Sequence, residues 1–214
     1  MNERAGRADL RDQDAATQTE LQRQLRHGAP GRRAIALDAL ALGERRFMRG
    51  ERIDMGSLAR DLGVNRATLY RWVGTREQFL VEILWSLAQR TLSEELRRVE
   101  ADDAPGNRVA RLLSAFVRHV LANAGMRQLQ RDESELVFRL LTLARYGFEP
   151  RFVRLVENLL AEDVAEGRLT SPAPVEDLAY TAVRIVESYV HRAAITGEAP
   201  DAVRAGRVLH ALLS

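Results

Sequence analysis

The amino-acid sequence predicts an all-α fold, and three observations predict it. Apolar residues recur three and four apart through almost every segment, the period of one buried helical face. No stretch alternates apolar and polar residues as a half-buried strand does. Capping residues and glycines fall at the joints between periodic segments, as in Gly63-Val64-Asn65 and Gly74-Thr75. About nine or ten helices fit this punctuation. At 214 residues the chain has ample length for a buried core, as one long or two short domains.

Composition narrows the function classes. With no cysteine there is neither a disulfide framework nor thiolate chemistry. No run approaches the ~18 apolar residues a membrane span needs, and the N-terminal stretch lacks a signal-peptide apolar region. A cytoplasmic protein without membrane contact is expected. His27, His119, His191 and His210 show no metal-ligand spacing, and no Gly-rich phosphate loop or GxSxG elbow occurs. No metal, no cofactor and no enzymatic activity are therefore expected.

The formal charge is only +2, but its distribution is uneven. Between Gln22 and Arg76 stand 12 arginines and 5 acids, whereas residues 80–214 hold 17 arginines and 19 acids. Positive charge concentrated in one third of the chain suits contact with DNA phosphates. All 32 basic residues are arginine, which GC-rich coding explains more simply than selection for bidentate binding.

Taken in order, residues 1–31 are polar and end in Gly28-Ala29-Pro30-Gly31. They predict a flexible N-terminal arm with a short helix near Thr17 to Leu25. Such an arm either reaches along DNA through Arg23 and Arg26 or is a tail without function. The first firm helix runs from about Arg32 to Met48, burying Ile35, Ala39 and Leu42 with Leu40 and Phe47 flanking, until Gly50 breaks it. Asp54 can cap the next helix, which buries Leu58, Ala59 and Leu62. Gly63 can leave that helix through positive φ, Val64 can seal the corner, and Asn65 can cap a further helix, Arg66 to Val73. Small Ala59 lets the two helices cross closely. This is a helix-turn-helix, whose second helix enters the major groove. It would present Arg66, Thr68, Tyr70, Arg71 and Trp72.

Thr75-Arg76-Glu77-Gln78 has the form of a capping box, so a long helix should run from Arg76 to about Glu100. Further helices fit Asn107 to Asn123, Met126 to Arg131, Asp132 to Tyr146, Pro150 to Gly167, Val175 to Thr196 and Pro200 to Leu213.

The order Ala59, Gly63-Val64, Thr68-Leu69-Tyr70 and Arg76-Glu77-Gln78 resembles the DNA-binding domain of the TetR family of bacterial transcriptional regulators. Members usually read G-V-S-x-x-T-L-Y-x-H-F-x-x-K-E. Here Asn65 replaces Ser, Trp72-Val73 replaces His-Phe, and Arg76 replaces Lys. The resemblance covers about Arg32 to Ser86. A C-terminal stretch around GFEPRFVRLVENLLAEDVAEGRL and VEDLAYTAVRIVESYVHRAAITGEAPD resembles the QsdR-type branch, named for a regulator of quorum-sensing lactone degradation. It implies residues 32–78 as the DNA-binding domain and 79–214 as a regulatory and dimerisation domain. It further implies a homodimeric repressor on a palindromic double-stranded operator, released by a small apolar effector such as a lactone or acyl compound. Arg66 and Thr68 would reach base edges, Asn65 would cap at the DNA surface, and Tyr70, Arg71 and Arg76 would hold phosphates. Trp72 would pack on sugar or backbone.

The effector site is less defined. Arg184, Glu187, Ser188 and His191 form a polar stripe on an otherwise apolar helix. A solvated face, the lining of an effector pocket and cross-dimer hydrogen bonding all account for it. Facing candidates are Trp85 with Leu84, Phe116, His119 with Val120, and Phe138, Leu141, Leu143 and Arg145. Plain core packing also accounts for Trp85, Phe116 and Phe138. For the dimer, Val208, Leu209, Leu212 and Leu213 give an apolar row beside Val203, Arg207 and His210, with Tyr189, Ala193, Ala194 and Ile195 on the preceding helix. A face packed only within its own subunit is the alternative. A small α-helical enzyme, a ligand-binding module without DNA, or a helix-turn-helix protein acting through another protein are the competing functions.

Overall fold

The computed structural model describes residues 18–27, 35–102 and 104–214. Among them are eleven α-helices: α1 (Glu20–His27), α2 (Ala36–Met48), α3 (Met55–Asp61), α4 (Arg66–Val73), α5 (Arg76–Glu100), α6 (Arg108–Ala122), α7 (Ala124–Thr142), α8 (Phe148–Ala165), α9 (Val175–Val190), α10 (Arg192–Thr196) and α11 (Ala202–Leu212). A 3-10 turn, Ala144–Tyr146, joins α7 to α8. No strand occurs among the described residues. Residues 1–17, the Gly28 to Gly31 break and the Arg32 start of the first helix lie outside them.

Local chemistry builds the helix-turn-helix as its sequence reads. Asp54 accepts from the Ser57 amide at 2.7 Å, and Asn65 accepts from the Thr68 amide at 2.7 Å. Thr75 and Gln78 close a capping box at the start of α5. Gly63 takes φ +67, so the Val64 amide can turn back onto the Ala59 carbonyl at 3.0 Å. Arg46 of α2 then ties α3 down, donating to Ser57 Oγ at 2.6 Å and pairing with Asp61.

Two expectations are corrected here. The 1–31 arm contains a packed helix, α1, whose Leu21 is 0% exposed. Thr19 and Gln22 cap α1 reciprocally, and Gln22 Nε2 reaches Glu82 on α5 at 3.1 Å. The polar composition of the segment concealed a single buried leucine that anchors it. Helix α2, in turn, buries Ala36, Ala39, Leu40, Gly43 and Phe47, with Ile35 at its N-cap and Leu42 only half-buried. Its buried face is rotated toward Phe79 and Ile83 of α5, against which Gly43 packs closely.

α5 runs unbroken across the expected boundary between residues 78 and 79, so one hydrophobic cluster joins the helix-turn-helix to the C-terminal helices. α6 packs between α5 and α11, and α9 lies on α8. The two segments expected on either side of residue 132 are one helix, α7, with a kink at Glu133 (φ −143, ψ 46). The single helix expected from Val175 to Thr196 is divided at His191 into α9 and α10.

The C-terminal apolar row is also corrected. Leu209 and Leu213 are buried within their own subunit, where α11 packs on α6 and α9. Gly206 permits this, since a Cβ there would sit 3.1 Å from Ser114 Oγ. Leu212 is half-buried, whereas Val203 (71% exposed), Ile195 and Val208 remain open.

Candidate DNA-binding and effector sites

Leu69 and Val73 anchor α4 in the core and turn its other face outward. That face carries Arg66, Arg71 and Tyr70, all exposed, with Thr68 half-buried beside them. The Arg66 guanidinium rests over Gly56, where a Cβ would meet it at 2.2 Å, so reaching a base edge requires that side chain to swing out. Asn65 uses its carbonyl oxygen as the helix cap. Trp72 is half-buried and packs against the hydrophobic cluster.

Arg76 departs from its expected role. Its Nε donates to the Ile53 carbonyl at 2.8 Å, and its two terminal nitrogens form a fork on the Glu133 carboxylate at 2.8 and 2.6 Å. Arg52 approaches the same carboxylate at 3.8 Å. The Arg76 hydrogen bonds hold the Glu133 carboxyl below the usual range. Three of its five N–H groups and its charge are thus engaged within the protein, which turns this guanidinium toward the junction rather than toward a phosphate. It joins the first turn of α5 and the loop before α3 to the kink of α7. Glu133 carries no local sequence signal of this partnership, because 57 residues separate the pair.

A cavity of about 550 Å³ lies between α2, α5, α6, α7, α8 and α9. Its apolar wall comes from Leu84, Leu87, Phe116, Val120, Met126, Leu141, Phe148, Phe152, Val186 and Val190, and the end of α2 adds Phe47 and Met48. Exposed Arg45, Arg49, Arg90 and Glu94 mark its mouth, while buried His191 and shielded Glu187 mark its depth. Of the expected pocket residues, Leu84, Phe116, His119, Val120, Leu141, Glu187 and His191 line it.

The other six lie elsewhere, with Leu143 half-buried at the C-cap of α7. Trp85 stacks edge-on against Phe148 at 5.5 Å with Arg151 over its ring. Phe138 sets its edge against His191 from outside, at 5.3 Å. Arg145 covers the Tyr146 ring, Ser188 is exposed, and Arg184 is shared between Glu149 (2.7 Å) and Glu187 (2.9 Å). The contributions of Phe47, Met48, Phe148 and Phe152 were missed. Their side chains read as ordinary helix-face residues until α2 and α8 are packed against α5.

The inner end has unusual electrostatics. Burial lifts the Glu187 carboxyl to about 7, against the pull of Arg184. Burial pushes the His191 imidazole down to about 4, and its Nε2 has no hydrogen-bond partner. From ordinary values of 4.5 and 6.5, the two groups oppose each other in linkage. Between those values the unfolded chain carries one proton on the histidine, and the folded chain carries one on Glu187, so their slopes cancel. In His191→Phe only the raised carboxyl remains, and stability should fall as pH rises toward 7, by roughly 1 kcal/mol per pH unit. In Glu187→Gln only the depressed histidine remains, and stability should instead fall as pH drops below 6.5. Urea unfolding across this range checks the signs, and parallel profiles for both variants and the parent would refute them.

A family model described as the C-terminal domain of tetracyclin repressor-like proteins matches residues 106–214. Among solved structures, the transcriptional repressor QsdR of R. erythropolis is 25% identical, with a TM-score of 0.72 over 83% of this chain and 93% of that one. AlkX from Dietzia sp. strain DQ12-45-1b, implicated in biodegradation of n-alkanes, is 18% identical with a TM-score of 0.57, covering 86% of this chain and 95% of its own. FadR from Bacillus subtilis, solved with stearoyl-CoA, is 11% identical with a TM-score of 0.53, covering 83% and 97%. These last two are alike in fold alone. No curated protein sequence matches the chain. With its C-terminal half matched to that domain and a helix-turn-helix preceding it, the protein belongs to the TetR family of DNA-binding transcriptional regulators, which are not enzymes.

Proposed function

We propose that the protein is a homodimeric, ligand-responsive repressor, with residues 32–78 binding DNA and residues 79–214 binding the effector and the second subunit. One observation carries this reading: the cavity is walled in part by the last turn of α2, Phe47 and Met48, which belongs to the DNA-binding unit. An occupant therefore touches both units at once, the condition for differential binding to two conformations. Arg66 and Thr68 read base edges, Tyr70 and Arg71 hold phosphates, and Arg76 serves the junction. The similarity to the repressor QsdR supports the negative sign of regulation. The resemblance to that branch further proposes a small apolar effector, a lactone or acyl compound, which leaves the operator free when bound.

The dimer face proposed is the exposed apolar set of Tyr180, Ile195, Val203 and Val208 on α9 to α11. Selection of bound DNA from a random pool tests the whole reading. It should enrich a palindrome whose half-sites stand about one helical turn, ~34 Å, apart. The double variant Val203→Asp, Val208→Asp should sediment as a monomer and bind that palindrome at least ~10-fold more weakly, a loss of about 1.4 kcal/mol. A pool without an enriched sequence refutes operator recognition, and a variant that stays dimeric places the interface elsewhere.

A further inference from the structure

We propose that the cavity takes an uncharged amphipathic ligand, a hydrocarbon body ending in one hydroxyl or carbonyl group, with that group seated against His191. This rests on the effector reading above and specifies its chemistry. His191 is 3% exposed, lines the deep end of the cavity and leaves Nε2 without a partner. A buried polar atom left unpaired is costly, so its retention in an apolar wall calls for a partner that arrives from outside. Phe138, which does not line the cavity, packs against the imidazole in a T-shaped contact at 5.3 Å.

Charge at that end excludes an anion. Arg184 lies beside Glu187 and is already shared between the Glu149 carboxylate and the Glu187 carboxyl group. A ligand carboxylate there would meet a neutral imidazole, and a guanidinium whose charge is already paired with Glu149. A neutral hydroxyl or carbonyl meets neither repulsion nor desolvation of a full charge. Phe116, Phe148 and Phe152 supply the apolar surface for the rest of the molecule, and about 550 Å³ lies within the range of small-molecule sites. The charged side chains at the mouth, Arg45, Arg49, Arg90 and Glu94, are exposed to solvent.

The test is calorimetric titration of the full chain at neutral pH with octanol, methyl octanoate and octanoate. Octanol and methyl octanoate should bind at least ~10-fold more tightly than octanoate, and His191→Phe should lower their affinity by about 10-fold. Octanoate binding as tightly as octanol overturns the proposal without needing any variant. So does octanol affinity unchanged in His191→Phe, or no binding by any of the three. Operator release is read separately by fluorescence anisotropy. Octanol that binds through His191 without releasing the operator upholds this inference and removes the effector reading instead.

Discussion

Gly125→Ala should destabilise the protein by about 3 kcal/mol and lower its Tm by roughly 10 °C, more than any other single methyl addition at a glycine among the described residues. Gly125 opens α7 where it crosses the end of α2, and a Cβ built there would lie 2.0 Å from the Phe47 carbonyl oxygen and 2.8 Å from its carbon. Both are backbone atoms, so no rotamer change relieves the overlap, and the two helices must separate. Gly43→Ala is the control. Its Cβ meets Ile83 Cδ1 at 2.7 Å and Phe79 Cζ at 2.8 Å, the outer atoms of side chains that can shift a little. Separating α2 from α7 also opens the cavity, because Phe47 and Met126 line it on either side of the crossing. The variant should therefore lose effector affinity together with stability. Urea unfolding followed by far-ultraviolet circular dichroism measures the first effect. A Gly125→Ala loss below 1 kcal/mol, or one smaller than that of Gly43→Ala, would show that the crossing is looser than its geometry states.

The contrast between what the residues announced and what they concealed follows the range of the interactions. Asp54, Asn65 and Thr75 each cap through an amide three residues away, and Gly63 takes positive φ to end α3. Such contacts are local, and their residue types are chosen by the backbone itself, so they are legible in one sequence. Periodicity also found a polar stripe on α9, but periodicity supplies a face and not its neighbour. Glu187 and His191 turn to the cavity, whereas Ser188 turns to solvent and Arg184 is held by Glu149, 35 residues away on α8. Trp85 and Leu84 show the same limit, since one step along α5 decides which lines the cavity. In α1, one leucine within a polar arm carried too little pattern to predict packing, yet it is wholly buried.

The fork between Arg76 and Glu133 leads to the prediction with the largest consequence for regulation. Glu133→Gln should leave operator affinity within about twofold while reducing the effector's ability to release DNA by roughly 5-fold or more, the lower range of measured coupling energies. The reasoning is geometric. Arg76 follows the DNA-reading helix directly, and Glu133 sits at the kink of α7, whose first turns carry Gly125 against α2 and Met126 against the cavity. A shift of those turns on ligand binding is passed to Arg76 through the carboxylate it grips. Glutamine keeps the shape but accepts only one of the two charge-assisted bonds. Arg76→Ala should uncouple the protein similarly and lower its stability by about 2 kcal/mol, since Glu133 and the Ile53 carbonyl lose their donor in a partly buried site. The stabilisation by this depressed carboxyl is present above its ordinary value of 4.5 and is lost as pH falls through the lowered folded value, so the two proteins should converge in stability in acid. Because the guanidinium is already neutralised, the slope of log affinity against log salt should not change in Arg76→Ala. A phosphate contact would instead remove about one unit from that slope and weaken binding to every sequence alike. Titrations of operator and random duplex at several salt concentrations separate the two, and a lost unit of slope returns Arg76 to the DNA surface.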